Sequence, residues 1–315
     1  MEKTIKRKDS GAALRPSTVG NLKKNYGLLF LLIPGFILLL VFNYAPMFGL
    51  IISFKDYRMG LGIFGSDWCG VKNFVEILHD VDFRLAFRNT LLISALKLLF
   101  SFPMPIILAI LLNEMNNMAI KRTVQTLSYL PHFFSWVVLA GIFKMIFATV
   151  GPINEIFGYF GIGPVNFFGD KGWFLFTLIL TDVWQSVGWG SIVYLAAIAG
   201  IDTSMYEAGT MDGMNRWQAI RYITVPSLVP TIVTVLILRL AHVLNIGFDQ
   251  IYNMYNPLVY DVSQIIDTYV LSKLENMDYA IGTAVGFFKS LVCLILVVGS
   301  NYLTKRLSDG EQGIW

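Results

Sequence analysis

Residues 207–226 read EAGTMDGMNRWQAIRYITVP, a helix-forming stretch that is interrupted at Gly213. Glycine has no Cβ and tolerates a sharp turn, so two short helices are predicted on either side of Gly213. Pro226 and Pro230 are expected to begin the helix that follows, because proline is tolerated in a first helical turn. The sequence from about 202 to 226 therefore predicts a helix-turn-helix elbow.

Apolar side chains recur every three residues through the elbow, at Met211, Met214, Trp217 and Ile220. Residues at this spacing share one helical face, and methionine adapts to irregular grooves. The pattern predicts an apolar ridge that fits a partner protein. An amphipathic helix lying on lipid headgroups is the alternative explanation.

Long apolar segments surround the elbow in a chain of 315 residues that is 55% hydrophobic and only 14% charged. This composition is typical of membrane proteins. Windows of about 19 residues, enough to cross roughly 30 Å of hydrocarbon, indicate spans. Six are predicted, at about 27–48, 88–112, 126–149, 174–199, 229–248 and 281–303. Because backbone polar groups in lipid must bond within their own segment, the predicted fold class is all-α.

Lysine and arginine are unevenly divided between the two sides of this arrangement, with 13 on the side of the termini and elbow and 7 on the other. Basic residues favour the cytoplasmic side, so both termini and the elbow are expected there. The predicted organisation is a basic tail (1–26), a transmembrane domain (27–304) and a second tail (305–315). Three long outer connections are predicted to form docking surface: 49–87, 150–173 and 249–280.

The elbow resembles the cytoplasmic EAA loop of ABC importer permeases, in which Glu and Ala are followed by Gly, Ile and Pro at fixed spacing. The matching positions are Glu207, Ala208, Gly209, Gly213, Ile223 and Pro226. The sequence departs from the family pattern where Gly209 replaces the second Ala and Val225 replaces the usual Leu. The resemblance implies that the elbow couples to an ATPase through Glu207, Ala208, Gly209, Asp212, Gly213, Met214, Trp217, Ile223 and Pro226.

Four further segments narrow the resemblance: YLPHFFSW at 129–136, GFDQI at 247–251, YNPLV at 255–259 and IDTYV at 266–270. They look like the LplB-type branch of the carbohydrate uptake class 1 permeases, which is similar to the larger permease subunit of the maltose importer. The resemblance implies a type I ABC importer permease fold in the bacterial cell membrane. It also implies import of oligosaccharides derived from complex polysaccharides. The implied partners are a second homologous permease, two ABC ATPase subunits and an extracellular solute-binding protein, with no nucleic acid.

Catalytic and cofactor signatures are missing from the sequence. It contains no Gly-x-x-x-x-Gly-Lys-Ser/Thr loop to hold a nucleotide phosphate. The histidines His79, His132 and His242 have no metal-ligand spacing. We therefore expect a pore subunit without enzymatic activity, cofactor or metal.

Polar residues inside the spans indicate where substrate would lie, because such residues usually face a bundle interior. On the fifth span, Arg239, His242, Asn245 and Asp249 recur every three or four residues, which predicts one cavity-lining helical face. On the fourth span, the candidate sugar-binding side chains are Trp184, Gln185 and Trp189. Ordinary packing is the alternative for the two indoles, and interhelical hydrogen bonding is the alternative for Asn245 and Gln185.

The charges inside the spans are mainly basic: Lys97, Lys144, Arg239 and Lys289 against Asp182. This excess favours an acidic, uronate-containing oligosaccharide. Two alternatives remain open: the lysines snorkel to the outer interface, and Arg239 is neutralised by Asp182 or Asp249.

Three other classes of protein compete with this interpretation. An ion-coupled secondary transporter would leave the elbow unexplained and would be expected to show an internal repeat. An ABC permease for a non-sugar solute would leave the 247–270 segment unexplained. A membrane-embedded enzyme would need clustered histidines or carboxylates within the spans.

Overall fold

The computed structural model describes residues 26–307, which are mainly helical with turns and loops between the helices. The strands in this range are two-residue and antiparallel, β1 (Lys55–Asp56) and β2 (Asp67–Trp68), with Lys55 opposite Trp68. The predicted all-α class is confirmed apart from this small ladder. The two predicted tails lie outside the described residues except for residue 26 and residues 305–307.

The helices vary widely in length, and only a few are long enough to cross a bilayer alone. In chain order the α-helices are α1 (Tyr26–Leu39), α2 (Gly62–Gly65), α3 (Lys72–His79), α4 (Val81–Phe100), α5 (Pro103–Glu114), α6 (Met118–Tyr129), α7 (Trp136–Ile146), α8 (Pro152–Tyr159), α9 (Lys171–Ala199), α10 (Thr203–Met211), α11 (Arg216–Ala219), α12 (Val225–Ala241), α13 (Phe248–Met254), α14 (Tyr260–Ser263), α15 (Ile266–Glu275) and α16 (Tyr279–Leu307). Irregular helical turns occur as π-turns at Leu40–Tyr44 and Ile220–Thr224, and as 3₁₀ segments at Ala45–Phe54, Leu130–Phe133 and Pro257–Val259.

Membrane-crossing stretches fall into two groups. Four are continuous enough in length and hydropathy to span: Phe30–Phe54, Val81–Glu114, Arg216–Ala241 and Tyr279–Gly299. Two more are bent pairs, Met118–Phe133 with α7 at 107° and α9 with α10 at 69°. The number reaches the predicted six when each bent pair counts as one span.

The third predicted span, 126–149, is wrong as a straight helix. Pro131 lies in a 3₁₀ turn after α6, and Phe134 is extended. Ser135 then caps α7, where its Oγ accepts from the Val138 amide. A proline that ends one helix and a serine that caps the next explain the sharp bend.

The described chain divides into two compact units at Ile51. In the first unit, α1 and the turns after it are strongly apolar, and nearly all their described side chains are exposed. An apolar helix without buried side chains is suited to a lipid or protein environment, not to water. The remaining helices form the second unit, which carries the core.

Helix α9 lies at the centre of the second unit, where it packs against α5, α6, α12 and α4. Two glycines allow the closest of these approaches. A Cβ on Gly188 would lie 2.0 Å from the Ser128 carbonyl oxygen of α6, and one on Gly190 would lie 2.9 Å from Cγ of Pro105 in α5. Small residues at such crossings let membrane helices pack backbone to backbone.

A polar cluster joins α15 to the start of α4. Tyr269 donates its hydroxyl to Asp80 Oδ2 at 2.6 Å, and the Lys273 ammonium lies 3.3 Å from the same oxygen. Asp80 also caps α4 by accepting from the Asp82 amide at 2.8 Å. Partial burial raises the pKa of Asp80, but these hydrogen bonds outweigh it and hold the pKa below its ordinary value. The carboxylate therefore stays ionised and fixes α15 against α4.

Candidate functional site

The elbow forms as two short helices with a left-handed turn between them. Asp202 caps α10 by accepting from the Ser204 amide at 2.9 Å. Gly213 has a φ of +80°, which only glycine adopts readily. Asn215 and Gln218 then form a reciprocal capping box at the start of α11. The predicted turn at Gly213 is confirmed.

The inside of the elbow is built from Gly209, Met214 and Ile223. The Met214 amide donates to the Gly209 carbonyl at 2.8 Å. A Cβ on Gly209 would lie 3.2 Å from Met214 Sδ and 3.4 Å from Ile223 Cδ1, and both Gly209 and Ile223 are buried. Tyr206 adds a hydrogen bond of 2.9 Å to Thr224 Oγ1. These contacts hold α10 against the helix that leads into the next span.

The surface of the elbow differs from the predicted ridge. Met211 is 88% exposed and Trp217 is 78% exposed, but Met214 turns inward onto Gly209. A three-residue spacing keeps side chains on one face only along one helix, and the turn at Gly213 interrupts the helix in the middle of the pattern. The single ridge is therefore wrong. The other coupling candidates at the surface are Glu207, Ala208, Asp212 and Pro226.

Pro226 lies in the first turn of α12, as the sequence predicted, whereas Pro230 lies inside that helix. The chain is helical without a break from Arg216 to Ala241, and the π-turn Ile220–Thr224 ends just before Val225, the residue that precedes Pro226. Proline lacks the amide that would bond four residues back. The π-turn therefore lies in the part of the helix that already lacks one backbone hydrogen bond, because Pro226 has no amide hydrogen.

A polar cavity of about 270 Å³ lies between α4, α9 and the end of α12. Gly247, with a φ of +85°, also lines it. The polar side chains in the wall are Ser94, Lys97, Asp182, Arg239, His242 and Asn245. The structure thus brings together three of the four predicted residues of the fifth span.

The geometry of those residues differs from the prediction. Helix α12 ends at Ala241, so His242 and Asn245 lie in a non-helical stretch and not on a continuous helical face. Asp249 lies on α13, exposed and outside the cavity wall. The left-handed backbone at Gly247 separates the two helices and explains why the helical repeat does not continue.

Lys97 is the centre of a buried hydrogen-bond network beside the cavity. Its ammonium donates to Asp182 Oδ1 at 2.7 Å, to the Ile246 carbonyl at 2.8 Å and to Gln250 Oε1 at 2.6 Å. The other carboxylate oxygen of Asp182 accepts from Ser101 Oγ at 2.7 Å. The network ties the non-helical stretch to both α4 and α9.

The lysines of the spans behave differently from one another. Lys97 does not snorkel, since its side chain is only 12% exposed and bound to Asp182. Lys289 likewise bonds to Asp267, whereas Lys144 is exposed near the end of α7. Snorkelling is therefore the wrong explanation for Lys97, and it stays a prediction for Lys144 and Lys289.

Arg239 is the cavity's unpaired cation. Its side chain is exposed and makes no ion pair or hydrogen bond with any side chain between residues 26 and 307. Within residues 26–307, Arg239 forms no ion pair with Asp182 or Asp249, and Asp182 is bound instead to Lys97 and Ser101. Arg239 is available to a ligand.

The aromatic candidates of the fourth span do not line this cavity. Trp184 packs edge-on against Phe143 at 5.5 Å. Trp189 lies flat on His132, with ring centroids 4.6 Å apart and an angle of 5°. Gln185 is half-buried and makes no side-chain hydrogen bond within the described residues. Each indole therefore has one face or edge packed against a neighbouring ring. A sugar-binding role for Trp184, Gln185 and Trp189 stays a prediction.

Sequence reasoning missed the parts Lys97, Ser101 and Gln250 play in the network. The one available signal was a pair of opposite charges, Lys97 and Asp182, in two different spans. Buried charges in membrane helices usually pair with one another, and this rule favours a bond between them.

The architecture and the site together define a class, that of a multi-span membrane protein with a helix-turn-helix elbow and a charged internal cavity. Comparison with known proteins identifies the family. Residues 101–309 match the binding-protein-dependent transport system inner membrane component family. The chain belongs to that family.

Individual relatives agree with this assignment. The chain is 41% identical to protein LplB of Bacillus subtilis, over 95% of this chain and 94% of the relative. It is 42% identical to the polygalacturonan/rhamnogalacturonan transport system permease protein YteP of the same organism, over 90% of this chain and 89% of the relative. A crystal structure of a bacterial ABC transporter involved in import of the acidic polysaccharide alginate matches with a TM-score of 0.85 and 38% identity, over 91% of this chain and 98% of that chain. The fold is that of a type I ABC importer permease.

Proposed function

We propose that this chain is the permease subunit of an ABC importer for acidic oligosaccharides and that Arg239 receives a carboxylate of the substrate. The observation that carries the proposal is the unpaired guanidinium in the wall of the polar cavity. The relatives support it, since one is named for polygalacturonan and rhamnogalacturonan transport and a similar structure imports alginate.

The chemistry of the cavity suits such a ligand. A guanidinium presents a planar fork that matches a carboxylate, and a charge-assisted pair contributes about 1.5–3 kcal/mol. His242 and Asn245 are exposed in the same wall and offer hydrogen-bonding groups for sugar hydroxyls. A uronate unit therefore finds a cation and polar partners together.

The other subunits of the proposed importer are separate chains. We infer that the elbow inserts into an ATPase subunit, with exposed Met211 and Trp217 on either side of the turn. A second permease would complete the pathway, two ATPases would supply energy, and a solute-binding protein would deliver the sugar. The permease would lie in the bacterial inner membrane with both termini cytoplasmic and without ATPase activity of its own.

The test compares two sugars and three forms of the permease. Uptake of a uronate oligosaccharide and of its carboxyl-reduced counterpart is measured in the assembled complex with the same binding protein throughout. Arg239→Gln is expected to weaken uptake of the charged sugar by about ten- to hundredfold and to spare the reduced one. Arg239→Lys, which keeps the charge but loses the fork, should fall between.

Two results would contradict the proposal. In one, Arg239→Gln lowers uptake of both sugars equally, which would make Arg239 structural. In the other, the wild-type complex prefers the reduced sugar.

A further inference from the structure

The polar cavity holds three charged side chains, and their pairing is unequal. Lys97 and Asp182 are joined at 2.7 Å, with side chains 12% and 16% exposed. Arg239 lines the same cavity, exposed and without a side-chain partner among the described residues. The charges of Lys97, Asp182 and Arg239 sum to one net positive charge.

We propose that the Lys97–Asp182 pair determines substrate charge preference, because Lys97 keeps Asp182 from neutralising Arg239. This inference rests on the proposed function and names two residues that act on the same site. Without Lys97, the Asp182 carboxylate would face the cavity uncompensated. It would then compete with a substrate carboxylate for the guanidinium.

The pair lines the cavity, but its side chains are mostly buried and bonded within the protein. Lys97 donates to three acceptors, and Asp182 accepts from Ser101 as well, so the bonding capacity of both groups is largely occupied inside the protein. These hydrogen bonds hold the pair in place whether or not a ligand is bound. Arg239 is left as the group whose charge a ligand can meet.

Lys97 has a second effect that the experiment must separate from its charge. Its bonds to the Ile246 carbonyl and to Gln250 hold the non-helical stretch that carries His242 and Asn245. Removing Lys97 alone changes both the charge and this support. Removing Lys97 and the charge of Asp182 together restores the net charge but not the support.

The test therefore uses Lys97→Met, Asp182→Asn and the double variant. The measured quantity is the ratio of the apparent KM for the carboxyl-reduced oligosaccharide to that for the charged one, in uptake by the assembled complex. Lys97→Met should lower this ratio to about one, which is about tenfold or more below the wild-type ratio. Asp182→Asn should raise the ratio above wild type, and the double variant should return it to the wild-type value.

Lys289→Met is the matched control. It also removes a lysine from a spanning helix and breaks a bond to an aspartate, Asp267, but neither residue lines the polar cavity. The ratio in this variant should equal that of wild type. A change here would show that loss of any lysine–aspartate pair disturbs selectivity.

Each possible result either supports or overturns the charge-balance role of the Lys97–Asp182 pair. A wild-type ratio in Lys97→Met, or a double variant that assembles but does not recover the ratio, overturns the charge-balance role. If Lys97→Met does not assemble, Asp182→Asn decides alone, and an unchanged or lower ratio overturns it. Failure of the proposed function looks different, since Arg239→Gln would then leave the ratio unchanged.

Discussion

At the scale of single residues, Gly213 shows how one backbone angle shapes the elbow. Its φ is +80°, and no atom lies within 4 Å of the position that a Cβ would occupy. A larger side chain would therefore meet open space, and the energetic penalty would come from the backbone alone. A β-branched residue in this conformation is strained by about 1–3 kcal/mol.

We expect Gly213→Val to lower both transport and substrate-stimulated ATP hydrolysis in the assembled complex, because in the proposed assembly the turn presents α10 and α11 to the ATPase. Gly213→Asn is the control, since asparagine tolerates the left-handed region, and it should retain most of both activities. Wild-type rates in Gly213→Val would show that the turn does not transmit coupling.

The elbow and the cavity differ in how far the sequence predicted their residues. The turn at Gly213 depends on neighbours within a few positions, so the local pattern was sufficient. The bond between Lys97 and Asp182 joins residues 85 positions apart, and only tertiary packing decides which carboxylate a buried lysine meets. The sequence indicated that Arg239 faces a cavity, but it could not show whether a carboxylate pairs with Arg239, because that also depends on tertiary packing.

At the scale of the helices, hydropathy located the spans and missed their breaks. The window that predicts a span averages over about 19 residues, so a bend of two or three residues barely changes its value. The bend after Pro131 and the end of α12 at Ala241 both fall inside predicted spans. Both breaks had local signals, a proline in the first case and Gly247 in the second.

The crossing of α9 and α6 provides a test of this packing. Gly188→Ala would place a Cβ 2.0 Å from the Ser128 carbonyl oxygen, a backbone atom that cannot rotate away. We expect a loss of about 1–3 kcal/mol, or more, seen as a lower thermal unfolding midpoint of the purified complex.

Gly286→Ala is the matched control for that crossing. Gly286 also lies within a long spanning helix, α16, but nothing lies within 4 Å of its Cβ position. Alanine is the better helix former by about 0.5–1 kcal/mol, so the midpoint should stay the same or rise slightly. Equal midpoints in the two variants would mean that α9 and α6 are not packed this closely in the assembled protein.

At the scale of the whole molecule, the chain exposes much of what a finished transporter would bury or place in lipid. Large apolar side chains are exposed along the first span, and Met211 and Trp217 are exposed on the elbow. The sequence contains no phosphate-binding loop of the Gly-x-x-x-x-Gly-Lys-Ser/Thr type. These features belong to a subunit of a larger assembly.

We therefore expect the purified chain alone neither to bind nucleotide nor to transport. Reconstituted in liposomes, it should show no uptake of the oligosaccharide and no binding of a fluorescent ATP analogue. Adding the second permease, the ATPases and the loaded binding protein should restore ATP-dependent uptake, which also proves that the chain was folded. Uptake by the chain alone, driven by a proton or sodium gradient, would instead favour a secondary carrier, because a carrier completes its pathway within one chain and needs no elbow.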